Sequence, residues 1–294
     1  WWAECRREFE KIFLINKKIN KSRIMNFRND SETKAEILLD QNFISRKNSK
    51  FLNMLRSLSL VNLYHKLSNH VDLDILRICS ESKVGNNLST IYRGQRIGYR
   101  IMRYAYYLSQ LRKNTKLDQN KKNIILDVGG GYGGLARVIK NFYKNSTIVI
   151  IELPELCLLS HYFLNQCFDS PKIGGYKNFK DTKIISKDMI EKYDFVILPP
   201  HLVQNFDNEI VDLSINTTSL GEMTENMQNY YIENIERITS KYFYSVNRAK
   251  KRVEKYNSNG FYSFNFKKRW HSIVYKFNHT YHTEFLGKKL KNLN

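Results

Sequence analysis

The chain has 294 residues, 42% hydrophobic and 13% aromatic, which excludes wholesale disorder and suits one large α/β domain with an appendage or two small domains. No apolar run reaches the ~18 to 20 residues that cross a bilayer, and four cysteines without a CxxC pair exclude a disulfide framework and fit a reducing cytoplasm. A net charge of +20, from 48 Lys+Arg against 28 Asp+Glu, draws polyanions such as nucleic acid, an anionic membrane surface or phosphate-bearing substrates, although lysine and asparagine run through the whole chain as codon bias would also produce.

Trp1 stands first in place of Met, as in a fragment or a processed chain, so the lack of an N-terminal signal weighs little. Residues 1–117 read as a helical region that caps the core domain or forms a dimer face. Phe51, Leu52, Leu55, Leu58, Leu63 and Leu67 recur at three- and four-residue steps. Val84-Gly-Asn-Asn87 and Tyr92-Arg-Gly-Gln-Arg96 carry turn chemistry. Ile97, Ile101, Tyr104 and Leu108 then resume one helical face. Arg93, Arg96, Arg100 and Arg103 on this segment are either a solvated face or the lining of a cleft for an anionic or hydroxylated substrate.

The polar stretch Asp118 to Lys122 opens a second region, 118–294. An apolar run from Asn123 ends on Asp127 and meets Gly129-Gly-Gly-Tyr-Gly-Gly134, five glycines in six residues. Helical spacing follows at Leu135, Val138, Ile139 and Phe142, so the order is strand, glycine turn, helix. Glycines there supply positive φ and let a ligand lie against bare backbone. Thr147-Ile-Val-Ile-Ile-Glu-Leu153 predicts a second buried strand, and Pro154 suits the first turn of the helix carrying Leu156, Leu159, Phe163 and Leu164. Strand, helix, strand, helix is the parallel doubly wound pattern. Glu152 closes its strand 25 positions after Asp127, near the ~20-residue offset of an acid that grips ribose hydroxyls.

The third unit has two readings. In the first, Tyr193 to Leu198 is strand three and Val211 to Asn216 strand four. In the second, Lys183 to Asp188 is strand three and the Phe195 run strand four. Thr217 to Met223 reads as a loop, Thr224 as the cap of a helix showing Met227, Tyr231, Ile235 and Ile238, and Lys241 to Asn247 as strand five. The tail interleaves Lys250, Lys251, Arg252, Lys255, Lys267, Lys268 and Arg269 with Tyr256, Phe261, Tyr262, Phe264, Phe266 and Trp270. That mixture can stack bases or sugars, and the Phe264, Phe266 alternation marks closing antiparallel strands.

Gly129-x-Gly131-x-x-Gly134 also fits a dinucleotide fingerprint, so an NAD-dependent dehydrogenase is one reading. Asp127, two residues before the first glycine, opposes it: an acid there faces a pyrophosphate unfavourably but suits an ammonium, as in S-adenosyl-L-methionine (SAM). Leu126-Asp-Val-Gly-Gly-Gly-Tyr-Gly-Gly134 with Ile151-Glu-Leu-Pro154 resembles the Rossmann-like class I SAM-dependent methyltransferases. That resemblance implies a mostly parallel sheet with an antiparallel edge strand, in which Asp127, Gly129, Gly130, Gly131 and Gly133 hold the methionine part and Glu152, with Leu153 beside it, the nucleoside. Further on, Pro199-Pro200, Asn216-Thr-Thr-Ser-Leu-Gly-Glu-Met223 and Tyr230-Tyr231 resemble the bacterial sugar O-methyltransferase family of surface-polysaccharide biosynthesis. The resemblance covers roughly residues 91–270, and it favours the register with Val211 to Asn216 as strand four.

A sugar hydroxyl is a poor nucleophile and gains from a base within reach. His201 and Glu222 are the candidates, each with a structural alternative. Asn216, Ser219 and Tyr230 would line the acceptor side, with a satisfied loop network as the equal alternative. His279-x-x-His282 has no acidic partner and does not read as helix, so no metal is assigned. The acceptor is then a small molecule or glycan, with peripheral contact to an anionic membrane as an open option. An RNA amino-methyltransferase is disfavoured, because Leu198 in Leu198-Pro-Pro-His201 cannot accept a hydrogen bond from a target amino group. Oligomeric state is not legible.

Overall fold

A computed structural model describes residues 2–15, 18–28, 50–87, 89–249, 261, 264–266, 270–277 and 282–290. The chain divides into two compact units. The first comprises Trp1–Gln110, Gly131–Phe142 and Leu158–Asp169; the second comprises Leu111–Gly130, Tyr143–Cys157 and Ser170–Asn294.

In chain order the elements begin with α1 (Trp2–Phe13), β1 (Leu14–Ile15), β2 (Lys18–Ile19), α2 (Lys21–Met25), α3 (Lys50–Ser68) and α4 (Leu73–Ile78). There follow β3 (Thr90–Tyr92), β4 (Gln95–Ile97) and α5 (Tyr99–Asn114). The first unit is thus mainly helical, with two short antiparallel hairpins. The turn of the second hairpin is Arg93-Gly94, both at positive φ (50° and 75°), which accounts for the turn chemistry of Tyr92 to Arg96. Ile97, Ile101 and Leu108 are buried, as their spacing predicts.

The next elements are β5 (Ile124–Val128), α6 (Gly134–Phe142), β6 (Thr147–Ile151), α7 (Pro154–Cys167), β7 (Ile173–Gly174), α8 (Tyr176–Phe179), α9 (Lys187–Ile190) and β8 (Phe195–Leu198). A 3-10 turn (Pro200–Asn205), β9 (Val211–Thr217), a second 3-10 turn (Leu220–Glu222), α10 (Glu225–Ile238), β10 (Thr239–Arg248), β11 (Trp270–Phe277) and β12 (His282–Lys289) complete the chain.

The second unit holds an eight-stranded Rossmann-like sheet in the order β11-β12-β10-β9-β5-β6-β8-β7. From β7 to β10 all pairings are parallel, whereas β12 runs against both β10 and β11. β5, β6 and β8 are buried at every position, as befits parallel strands covered on both faces. The progression runs outward through β6 and β8, then returns to β9 on the other side of β5. That reversal is a topological switch point, where the carboxyl ends of neighbouring strands leave a crevice for a ligand. Residues Ile125 to Asp127 of β5 pair with Leu213 to Ile215 of β9, so Asp127 and Asn216 come to the same edge.

The Tyr193 to Leu198 and Val211 to Asn216 runs are both strands, as β8 and β9, but the two-residue strand β7, which neither reading contains, precedes them, so they are the fourth and fifth strands of this sheet in chain order. Lys183 to Asp188 forms no strand, only a bridge from Ile185 to Phe206 before the short helix α9. Two expectations need correction. Phe264 and Phe266 lie outside any strand; with Phe261 they pack into the apolar cluster around Phe243 and Phe285, and the closing strands are β11 and β12. Thr224 stands at the cap position of α10 in extended backbone, but its side chain makes no capping hydrogen bond. Of the basic tail, Lys250, Lys251, Arg252, Lys255, Tyr256, Tyr262, Lys267, Lys268 and Arg269 lie outside the described residues. Among the described residues no helix is long and apolar enough to cross a membrane.

Candidate active site

The glycine turn leaves β5 with Gly129, Gly131 and Gly133 at φ of 72°, 58° and 85°, the left-handed region closed to most side chains. At Gly129 space also forbids a side chain, because a Cβ would stand 2.0 Å from the Ser219 hydroxyl. Gly131 differs, since among the described residues a Cβ there would meet nothing within 4 Å.

Asp127 is 1% exposed, and among the described residues its Oδ2 has no hydrogen-bond partner. Burial, and then the nearby charge of Glu152, push its carboxyl up to about 7. A buried carboxylate oxygen lacking a donor is costly in a folded protein, and ligand sites are where such groups persist.

Glu152 follows β6 and is also buried. Its backbone N–H donates to the Leu198 carbonyl (3.1 Å), which fixes the end of β6 against β8. Its Oε1 accepts from the backbone N–H of half-buried Leu153 at 2.7 Å. Glu152 also raises the pKa of buried Tyr231 on α10, after burial itself. Asp127, Glu152 and the first two glycines therefore share one sheet edge.

Across the switch point, Asn216 is fully buried and its amide is committed to the protein. Its Nδ2 donates to the Val128 carbonyl (2.7 Å), while its Oδ1 accepts from the Leu220 N–H (3.2 Å) and from Asn247 Nδ2 (2.8 Å). Asn216 thus joins the end of β5 to the loop after β9, which is the loop-network role. Ser219 abuts Gly129 in that loop. Thr218, a β-branched residue at φ 59°, donates its backbone N–H to Val246 (2.7 Å), so strain is held in the same place.

Glu222 is half-buried, with its carboxylate 3.6 Å from the Arg248 guanidinium. His201 is exposed at the start of the 3-10 turn after β8, with its ring edge-on to Tyr176 at 5.8 Å. Tyr230 donates its hydroxyl to the Pro200 carbonyl (3.2 Å), beside His201. Arg237 braces the other end of the same turn through the Val203 and Gln204 carbonyls at 3.2 and 3.1 Å. Glu222 and His201 therefore belong to two separately braced loops. Among the described residues no three His, Cys, Asp or Glu side chains group as a metal site; His279 lies outside the described residues.

Sequence reasoning missed Asn247, Gln228 and Arg248. Asn247 accepts from the Gly221 N–H (3.1 Å) as well as donating to Asn216, and Gln228 donates to the Leu220 carbonyl (2.7 Å). Asn247 ends the predicted fifth strand with a buried amide, which was the available signal.

No protein-family model and no curated protein matches the chain. Several solved structures resemble it. The pyocyanin biosynthetic protein PhzM is 10% identical over 65% of this chain, with a TM-score of 0.39. The chain spans 57% of that protein's own length. A SAM-dependent methyltransferase from Aquifex aeolicus is 11% identical over 61% of this chain and 87% of its own, with a TM-score of 0.37. The mitomycin 7-O-methyltransferase MmcR is 11% identical over 81% of this chain and 68% of its own, with a TM-score of 0.41. Likeness at this depth leaves the functional argument to the residues themselves.

Proposed function

We propose that the chain is a SAM-dependent O-methyltransferase acting on a sugar hydroxyl in surface-glycan biosynthesis. The observation that carries the cofactor reading is the Oδ2 of buried Asp127, without a hydrogen-bond partner among the described residues and bordered by Gly130, which has no side chain to cover it. The α-ammonium of SAM brings three donors and a positive charge to that acceptor. Gly129, Gly130, Gly131 and Gly133 give it a bare backbone to lie against. Glu152 accepts from the ribose hydroxyls, and Leu153 flanks the adenine. The residues therefore fit the group, and they fit a dinucleotide less well, since Asp127 would repel a pyrophosphate.

When bound, SAM supplies a methyl group on a sulfonium, open to in-line attack. The chain's contribution is alignment of the acceptor oxygen with that methyl. Glu222 is the first candidate to take the hydroxyl proton, with Arg248 orienting its carboxylate from 3.6 Å. His201 is the second. Ser219 lines the acceptor side, with Tyr230 bracing the loop of His201. Asn216-Thr-Thr-Ser-Leu-Gly-Glu-Met223 and Tyr230-Tyr231, through their resemblance to sugar O-methyltransferases, support a sugar acceptor. In this reading residues 118–294 carry the SAM-binding domain and residues 1–117 its cap or dimer face.

Calorimetry with S-adenosylhomocysteine (SAH), followed by a screen of nucleotide-linked, lipid-linked and polymeric sugars for methyl acceptance, tests both levels. SAH binding without turnover on any sugar would retain the cofactor and remove the sugar.

A further inference from the structure

The turn Gly129 to Gly134 has a single side chain, that of Tyr132. A turn of glycines is conformationally loose, and at Gly131 and Gly133 many backbone shapes cost little. Whatever holds Tyr132 therefore sets the path of the two glycines beside it.

Tyr132 is 3% exposed and gripped from several sides. The rings of Phe27 and Phe163 meet it edge-on, with centroids 5.5 and 4.9 Å away. The Arg28 guanidinium carbon lies 5.0 Å from its centroid and that of Arg100 5.6 Å, both within cation–π range. Phe27 and Arg28 come from just after α2, more than a hundred positions upstream of the turn.

That dipeptide has a built seat of its own. The Arg28 backbone N–H donates to the Gly85 carbonyl at 2.9 Å. Its guanidinium Nη1 donates to Glu81 Oε1 at 3.0 Å, with the two side chains 1% and 3% exposed. Gly85 has φ 79°, and a Cβ there would stand 2.5 Å from the Phe27 ring, so both conformation and space require glycine. A buried ion pair is weak evidence for stability, but breaking it by moving one partner away leaves a buried charge uncompensated, which disfavours other positions of Arg28.

We infer that Phe27 and Arg28 are positioning residues for cofactor binding: seated on Glu81 and Gly85, they fix Tyr132 and so hold the glycine turn in one shape. This rests on the SAM reading for its consequence, though not for the clamp itself. Ser160 completes the clamp by donating its hydroxyl to the Gly131 carbonyl at 2.6 Å. A turn held in the bound shape loses less freedom when a ligand arrives, which raises affinity without adding a contact.

The test uses the full chain and two readouts, amide hydrogen exchange across the turn and SAH affinity by calorimetry. Arg28→Met combined with Glu81→Gln removes the nearer of the two cations on the Tyr132 ring without stranding the Glu81 charge. We expect faster exchange at Gly131 to Gly134 with β5 and β9 still protected, and SAH affinity lower by about tenfold. Tyr132→Leu should reproduce both changes, whereas Tyr132→Phe keeps the ring face and should restore both. Exchange at the turn equal to wild type in the double variant overturns the clamp and leaves the SAM reading standing. Faster exchange in a protein whose wild type binds no SAH upholds the clamp and overturns the cofactor instead.

Discussion

A Cβ on Gly130 would stand 2.8 Å from Oδ2 of Asp127 and 3.1 Å from Cγ2 of Ile150. Gly130, unlike Gly129, Gly131 and Gly133, is not at positive φ, so its backbone accepts alanine, and what the new methyl crowds is the space against Asp127 and buried Ile150. Gly130→Ala should therefore weaken SAH binding by about tenfold or more and lower Tm by the few degrees that about 1 to 3 kcal/mol of overpacking costs. Calorimetry and a thermal melt on the same variant separate the two effects.

The raised carboxyl of Asp127 gives a pH signature. An acid at about 7 in the folded protein and near 4 when unfolded keeps its proton longer in the fold. Its stability penalty is absent below pH 4, grows as pH rises to about 7, and is complete above that. Asp127→Asn should raise Tm at pH 8, leave it unchanged at pH 4 and abolish SAH binding. In the wild type, SAH affinity should rise with pH up to about 7, since the ammonium needs the ionised carboxylate. Binding near pH 6 should release protons, measured as buffer-dependent calorimetric heats.

Asn216 and Ser219 both border the glycine turn, yet they should behave differently. Asn216→Ala strands the Val128 carbonyl and the Leu220 N–H inside the protein. The expected loss is about 2 to 4 kcal/mol, from more than one buried group left unpaired. Ser219→Ala should stay within about 0.5 kcal/mol of wild type. Urea melts of the two variants check this.

Glu222 and His201 can be told apart by kinetics once an acceptor is found. Glu222→Gln should lower kcat by about a hundredfold or more with SAH affinity unchanged, as for loss of a general base. His201→Ala should raise KM more than it lowers kcat, given its exposed place beside Tyr176. The reverse pattern would assign the base to His201.

The strand, glycine turn and acid of β5, the acid after β6 and the existence of β8 to β10, with their ends off by up to two residues, were legible because each rests on local pattern: buried runs, glycines with no other use, a polar residue closing an apolar strand. β7, two residues long, is too short to leave such a pattern. The tail misled for the same reason. Phe264 and Phe266 alternate as in a strand, but what fixes them is packing on Phe243 and Phe285, which no local period encodes. Asn216 looked like a site residue by motif; only the three-dimensional pairing of β5 with β9 and β10 shows its amide engaged by Val128, Leu220 and Asn247. The seat of Tyr132 was hidden too, because Phe27 and Arg28 carry no motif and reach the turn only through the fold.

If Asp127 is the acceptor for the SAM ammonium, SAH calorimetry on the wild type and on Asp127→Ala, with NAD as control, will show it. SAH should bind the wild type, Asp127→Ala should lose that binding while still unfolding in one cooperative transition, and NAD should bind neither. Unchanged SAH affinity in Asp127→Ala, or binding of NAD alone, would contradict that role for Asp127.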